Sequence, residues 1–178
     1  MGKNTQSKTI LILREFSSGG VVYKGDKWLV TRSSASKLYP EAVWRLPKGW
    51  IDNETPDIPG LMASGKMKAD EESLQKAALR EVREEGGVEA RIIKKIGTEK
   101  YFYNAPDKGL PAGRQGKILK FVTFYLMEWV KDLPEGFDEE TSEITWLAFD
   151  EAYKKLSFSG EKQMLKKAKE LLDNVPVA

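Results

Sequence analysis

Between Arg80 and Gly87 the chain reads Arg-Glu-Val-Arg-Glu-Glu-Gly-Gly. On a helix, Glu81 and Glu85 stand one turn apart and Glu84 lies three residues from Glu81, so all three carboxylates can share one patch. Like charges placed so closely repel unless a cation neutralises them, and carboxylate oxygens suit Mg²⁺ or Mn²⁺. The competing explanation is a solvated face laced by ion pairs, with Arg80 paired to Glu84 at i,i+4 and Arg83 nearby. Composition removes most other chemistries. The 178 residues include no cysteine and no histidine, which excludes disulfides, thiolate or imidazole metal sites, cysteine nucleophiles and histidine bases. Lysine plus arginine is 29 and aspartate plus glutamate is 27, a near-balance that argues against gripping a long nucleic acid through net charge.

The elements that must hold these residues alternate irregularly, which predicts a mixed sheet flanked by helices, an α/β (α+β) single domain over 1–178. Residues 8–16 and 21–23 read as strands separated by the Gly19-Gly20 pair, and Gly25-Asp26 turns the chain into a strand over 28–31. Residues 33–42 read as a loop, and 44–46 as a short strand stopped by Pro47 and Gly49. The strongest helix spans 71–85, capped by Asp70, ended by Gly86-Gly87, with Leu74, Ala77, Ala78 and Val82 on its buried face. Strands follow at 90–96, 100–103, 118–130 and 144–148, with a Gly- and Pro-rich loop over 104–116. A helical turn at 150–156 and an amphipathic helix at 159–172 close the pattern. The polar start at 1–8 contains no signal-like apolar run and no stretch is long enough to span a membrane, so a soluble, cytoplasmic protein is expected.

Arg80 through Val88 fits R-E-U-x-E-E-x-G-U, where U is aliphatic, and Glu72 stands eight positions before Arg80. This resembles the Nudix hydrolase signature, G-x5-E-x7-R-E-U-x-E-E-x-G-U. Trp44-Arg45-Leu46-Pro47-Lys48-Gly49 resembles the W-x-L-P-K-G segment that leads into it, and Ala77-Ala78 matches the small pair inside its helix. The resemblance implies a Nudix-type α/β/α sandwich with its motif over 49–88. One departure stands out: 22 residues separate Gly49 from Glu72 where the family has five, an insertion of about 17 within residues 50–69.

By that resemblance, Glu81, Glu84, Glu85 and the Gly49 carbonyl would hold Mg²⁺ (or Mn²⁺), and Arg80 would orient a motif glutamate. Glu81 is then the first candidate for the base, with Glu140 and Glu143 as alternatives in the later loop. Longer stretches resemble the branch acting on dinucleoside polyphosphates and diphosphoinositol polyphosphates: 19–23 with 28–33, 101–103, 120–127 and 143–147. This branch implies phosphate contacts from Lys48, Lys120 and Arg32, and a stacking platform at Tyr103. The expected activity is hydrolysis of a small polyphosphate substrate such as diadenosine tetraphosphate, by water attack on phosphorus, with neither membrane nor long nucleic acid as partner. The alternatives are a triphosphate pyrophosphatase that removes 8-oxo-dGTP and similar oxidised nucleotides, or a non-catalytic nucleotide sensor. Apolar residues are sparse over 50–69, so the insertion is expected to be a mobile surface loop, either a lid over the site or a passive addition.

Overall fold

The structure, a computed structural model, describes residues 11–36, 40–105 and 116–176, so the chain start, part of the 33–42 loop and most of the 104–116 loop lie outside the described residues. The first strand, β1 (Leu11–Lys24), turns at Gly25 into β2 (Lys27–Ser33). Two short strands follow, β3 (Trp44–Arg45) and β4 (Lys48–Trp50), then a small hairpin of β5 (Asn53–Thr55) and β6 (Ile58–Pro59). Helix α1 (Glu71–Gly86) leads to two long antiparallel strands, β7 (Val88–Ala105) and β8 (Gly116–Asp132). Strand β9 (Thr141–Ala148), α2 (Phe149–Lys155) and α3 (Ser159–Asp173) complete the described chain.

The main sheet runs β3-β2-β1-β8-β7, with β4 paired to β1 and β9 to β2. Strand β1 is parallel to β8 and antiparallel to its other neighbours, so the sheet is mixed as expected. Apolar residues alternating along the central strands feed two cores. On one face Val21, Val30, Phe124 and Leu126 meet Ala152 and Leu156 near α2, and Leu165 and Ala168 of α3. On the other, Val22, Leu29, Tyr125 and Met127 meet Ala78 and Val82 of α1. Alternation sends successive strand side chains to opposite faces, which is why one strand serves both layers. No helix among the described residues is long and apolar enough to cross a membrane.

Several expected boundaries change. Of the two strands expected at 8–16 and 21–23, residues 8–10 lie outside the described residues, and 11–16 and 21–23 fall within one strand that runs straight through Gly19-Gly20. Those glycines mark close approach rather than a break: a Cβ at Gly20 would sit 2.5 Å from Val82 Cγ2 of α1, and the Gly20 amide donates to the Pro47 carbonyl at 3.1 Å. The strands expected at 90–96 and 100–103 are likewise one, carried past irregularities near Ala90, Lys94 and Gly97 by the continuous partner β8. Helix α1 begins and ends where the sequence places it. The Ser73 amide donates to Asp70 at 2.7 Å, and Gly87 adopts the left-handed conformation (φ 65°) that lets its amide reach the Arg83 carbonyl.

The insertion is a folded segment, not the mobile loop its composition suggests. Its anchor is Asp52, whose carboxylate accepts the amides of Met62 (3.2 Å) and Ala63 (2.7 Å), while its carbonyl accepts the Gly60 amide. The bundle so formed then docks on β1: Phe16 donates to the Ala63 carbonyl at 2.8 Å and accepts from the Ile51 amide at 3.2 Å. Ala63 and Ile51 are buried there. One carboxylate gathering two backbone amides replaces part of the apolar area the segment lacks, since hydrogen bonds to a charged acceptor contribute about 1.5–3 kcal/mol each. Asp52→Ala is therefore expected to speed amide exchange over 53–69 by about tenfold or more while α1 amides such as Val82 keep their protection. Unchanged exchange in the insertion, measured by hydrogen–deuterium exchange, would remove Asp52 as its anchor.

Candidate active site

Spacing places Glu81 and Glu85 on the same stripe of α1 as Ala77, Ala78 and Val82, and that stripe faces the sheet. Both carboxylates are therefore carried inward: Glu81 is 9% exposed and Glu85 1%. Strand β3 supplies Arg45, whose Nη2 donates to Glu85 Oε1 at 2.8 Å, and β4 supplies the Lys48 amide, which donates to Glu85 Oε2 at 3.0 Å. Burial pushes the Glu85 carboxyl up to about 8, against the opposing pull of Arg45, with the Glu81 charge adding to the rise. Burial likewise pushes Glu81 up to about 7, opposed by Arg80 and reinforced by Glu84 and Glu140. Glu84 turns outward, its side chain half exposed, with Arg80 Nε 4.0 Å away.

Arg80 ties the helix to the strand. Its Nη2 donates to the Trp50 carbonyl at 2.6 Å and to Glu81 Oε1 at 3.0 Å, and its Nη1 to the Ile51 carbonyl at 3.3 Å. Gly49, opposite Ser18 of β1, lies directly against the Glu81 carboxylate. A Cβ there would come within 2.3–2.4 Å of the carboxylate carbon and both its oxygens, so only glycine admits Glu81. The helix carboxylates, Arg80 and Gly49 are thus brought together. They do not form a ready cage, because among the described residues no three acidic side chains are gathered to hold an ion.

The expected phosphate contacts lie on the other face of the sheet, joined to the first group through β4. Lys48 donates its amide toward α1 but sends its ammonium to the buried Glu161 of α3, its own side chain being mostly covered. Lys120, in register with Glu15 and Tyr101, has its Nζ 3.8 Å from Glu15 Oε2. Burial pushes the Lys120 ammonium down to about 8; Glu15 opposes this, and the nearby Lys48 and Arg45 add to it. Glu15 is buried and also accepts from the Tyr103 hydroxyl at 2.6 Å and from Trp50 Nε1 at 3.2 Å. The Tyr103 hydroxyl thus serves the carboxylate beside Lys120. Register puts Ser17 and Glu99 one row further along this face, flanking Val122. Ser17 Oγ and Glu99 Oε2 are buried there without a hydrogen-bond partner among the described residues.

The remaining candidates separate. Arg32 and Glu143 face each other across β2 and β9, both exposed, on the sheet face opposite α1. Glu140, in the loop before β9, is near enough to Glu81 to raise its proton affinity. Three residues that sequence reasoning did not single out complete the arrangement: Arg45, Glu15 and Glu161. Arg45 sits inside the quoted lead-in to the motif, at the position the pattern leaves open. Glu15 and Glu161 carry no local signal, because their partners are 88 and 113 residues away in the chain.

The NUDIX domain family pattern matches residues 13–168. A Mycobacterium tuberculosis protein named as mutator protein MutT4 is 24% identical over 177 residues, 97% of this chain, and the chain spans 60% of that relative's length. Among solved structures, a NUDIX hydrolase from Nitrosomonas europaea superposes with a TM-score of 0.59 at 16% identity, covering 93% of this chain and 97% of that one. A C. elegans Ap4A hydrolase complex gives 0.53 at 20% identity, covering 90% and 99%. These likenesses extend over the same mixed sheet and helices described above, and with the family pattern spanning both helix carboxylates and the β3–β4 segment, the chain belongs to the NUDIX domain family.

Proposed function

We propose that this chain is a divalent-metal-dependent pyrophosphohydrolase that cleaves dinucleoside polyphosphates of the diadenosine tetraphosphate kind by water attack on phosphorus. One observation carries the reading: two buried carboxylates with raised proton affinity stand beside cations, Glu81 against Arg80, and Glu85 within electrostatic reach of Arg45, Lys48 and Lys120. Acids that titrate near 7 beside a set of partly buried cations are what proton transfer at an anionic anhydride requires.

The donor set fits a hard divalent ion by its chemistry. It consists of oxygen ligands only, and burial leaves the two inner carboxylates short of positive charge. Glu81, Glu84, Glu85 and the Gly49 carbonyl are the residues that would hold Mg²⁺ or Mn²⁺, which when bound would offset phosphate charge and acidify water. The rest falls to the chain itself. Arg80 fixes the Glu81 carboxylate, and Glu81 takes up the proton as water attacks. Glu140 strengthens Glu81 as a proton acceptor through its charge. Lys120 meets the polyphosphate, with Glu15 and Tyr103 setting its position. A second reading, hydrolysis of oxidised nucleoside triphosphates, is favoured by the likeness to a protein named as a mutator protein. A panel of nucleotides with Mg²⁺, its products separated by chromatography, decides between them: two mononucleotides released from the tetraphosphate-bridged dinucleotide support the first reading, and a marked preference for 8-oxo-dGTP supports the second.

Glu84→Gln is expected to lower kcat by about 100-fold or more, since it removes an acceptor charge from the cluster. The exposed side chain makes the change harmless to the fold, so the melting temperature without metal should hold or rise. Near-normal turnover of this variant would take the reaction off this helix. Lys120 gives a second check. In ¹⁵N-detected lysine titrations one ammonium should titrate near pH 8, well below the ordinary lysine range, and Glu15→Gln should lower that midpoint further because Glu15 favours the charged form. KM for a polyphosphate should then rise as the pH passes above 8 and Lys120 loses its charge. A midpoint above 10 would remove Lys120 from this role.

A further inference from the structure

Glu161 belongs to none of the motif residues, yet it is among the most deeply buried charged groups in the molecule, 1% exposed in the first turn of α3. One of its oxygens accepts the Leu46 amide at 2.9 Å and the other accepts the Lys48 ammonium. The first turn of a helix favours a carboxylate, but taking an ion pair out of water rarely stabilises a fold better than apolar packing would. What the pair does achieve is geometric. Leu46, Pro47, Lys48 and Gly49 form a backbone segment that touches α3 on one side and the carboxylates of α1 on the other. From the α3 side this segment is held at the Leu46 amide and the Lys48 ammonium. From the β1 side Gly20 donates to the Pro47 carbonyl. From the α1 side the Lys48 amide reaches Glu85, and Gly49 lies against Glu81.

The surroundings of Lys48 show that its ammonium is committed inward. Glu99 of β7 is a second acid in its field: burial raises the Glu99 proton affinity, the Glu161 charge adds to the rise, and Lys48 lowers it. Room for Glu99 beside α3 depends on Gly160, where a Cβ would overlap Glu99 Oε1 at 1.7 Å. Two carboxylates from separate elements, Glu161 of α3 and Glu99 of β7, therefore act on the lysine of the Leu-Pro-Lys-Gly segment.

We infer that Glu161 is a positioning residue for the active site: acting through Lys48 and Leu46, it sets the Lys48 amide and Gly49 against Glu85 and Glu81. This rests on the pyrophosphohydrolase reading above, and it assigns the Lys48 side chain to holding β4 in place of meeting the phosphates.

The test uses the full chain with Glu161→Gln, Lys48→Met, Lys48→Arg and the double variant Lys48→Met/Glu161→Gln. Amide exchange of Lys48 and Gly49 in the metal-free protein is the readout independent of turnover, with β8 amides such as Phe124 as internal controls. Glu161→Gln should speed exchange at Lys48 by at least about tenfold with the β8 amides unchanged, and should lower kcat by about tenfold with KM within about twofold. Lys48→Arg, which keeps the charge, should restore most of kcat, and Glu161→Gln should add nothing further to Lys48→Met. A rise in KM at constant kcat for Lys48→Met would make Lys48 a direct phosphate contact and overturn the inference. A fall in melting temperature with unchanged exchange at Lys48 and unchanged kcat would overturn it as well. If Glu161→Gln does not fold, Lys48→Met alone must show the kcat loss and the faster Gly49 exchange, or the inference falls. If the wild-type chain turns over no polyphosphate, the exchange result alone decides the inference, and the failure belongs to the functional reading.

Discussion

Two carboxylates on the inner face of a helix, packed against a sheet, set the terms for everything around them. A buried carboxylate without partners costs several kcal/mol, so Glu81 and Glu85 require donors that come to them. The β3–β4 segment is shaped by this demand. It brings Arg45 and the Lys48 amide to Glu85, and it has glycine at position 49 because Glu81 occupies the space of a side chain. Arg80, from the helix itself, closes the arrangement by gripping the carbonyls that follow β4. The compensation is partial. Both acids remain raised to near neutral pH, which gives the site groups able to exchange protons where ordinary glutamates would be permanently ionised.

Strand β4 also explains how residues on opposite faces of the sheet act on one another. Lys48 uses its backbone toward α1 and its side chain toward α3, so a single residue transmits position between layers. Charges alternate across this boundary: Arg45 against Glu85, Lys48 against Glu161, Lys120 against Glu15. Each pair is buried enough that removing one member would leave the other without its partner. Burial lowers the proton affinity of Lys120, and Lys48 and Arg45 lower it further by disfavouring its charge.

What could be read from the sequence was local. Helix spacing alone put Glu81, Glu84 and Glu85 on neighbouring turns, and Asp70 and Gly87 marked the ends of α1, because capping and periodicity are encoded within a few residues. The mixed sheet with flanking helices followed from the irregular order of elements. Partners distant in the chain left no such trace: nothing near Glu15 announces Tyr103, and nothing near Glu161 announces Lys48. Strand continuity was hidden for a related reason. Gly19-Gly20 and Gly97 look like breaks until a neighbouring strand is present to carry the ladder past them.

The insertion shows how far composition misleads when one polar residue organises a segment. Residues 50–69 have little apolar area, yet Asp52 draws the chain into a compact hairpin and turn, and Phe16 fastens it to β1 through two backbone hydrogen bonds. Its first residues are the same ones that Arg80 holds, and the Trp50 indole reaches Glu15 beside Lys120. The added length therefore begins inside the site and is fixed there before it departs. Lys68 ends up lining a cleft with Asp70, Glu71 and Lys95 at the start of α1. Ten helical residues, about 15 Å, separate Glu71 from Glu81, so this lysine lies far from the inner carboxylates. Pins at Trp50, Asp52 and Ala63 fasten the segment to α1, to itself and to β1. Loop-closure entropy grows slowly with length, so the helix carboxylates keep their register however long the chain between Gly49 and Glu72 becomes, provided those pins remain.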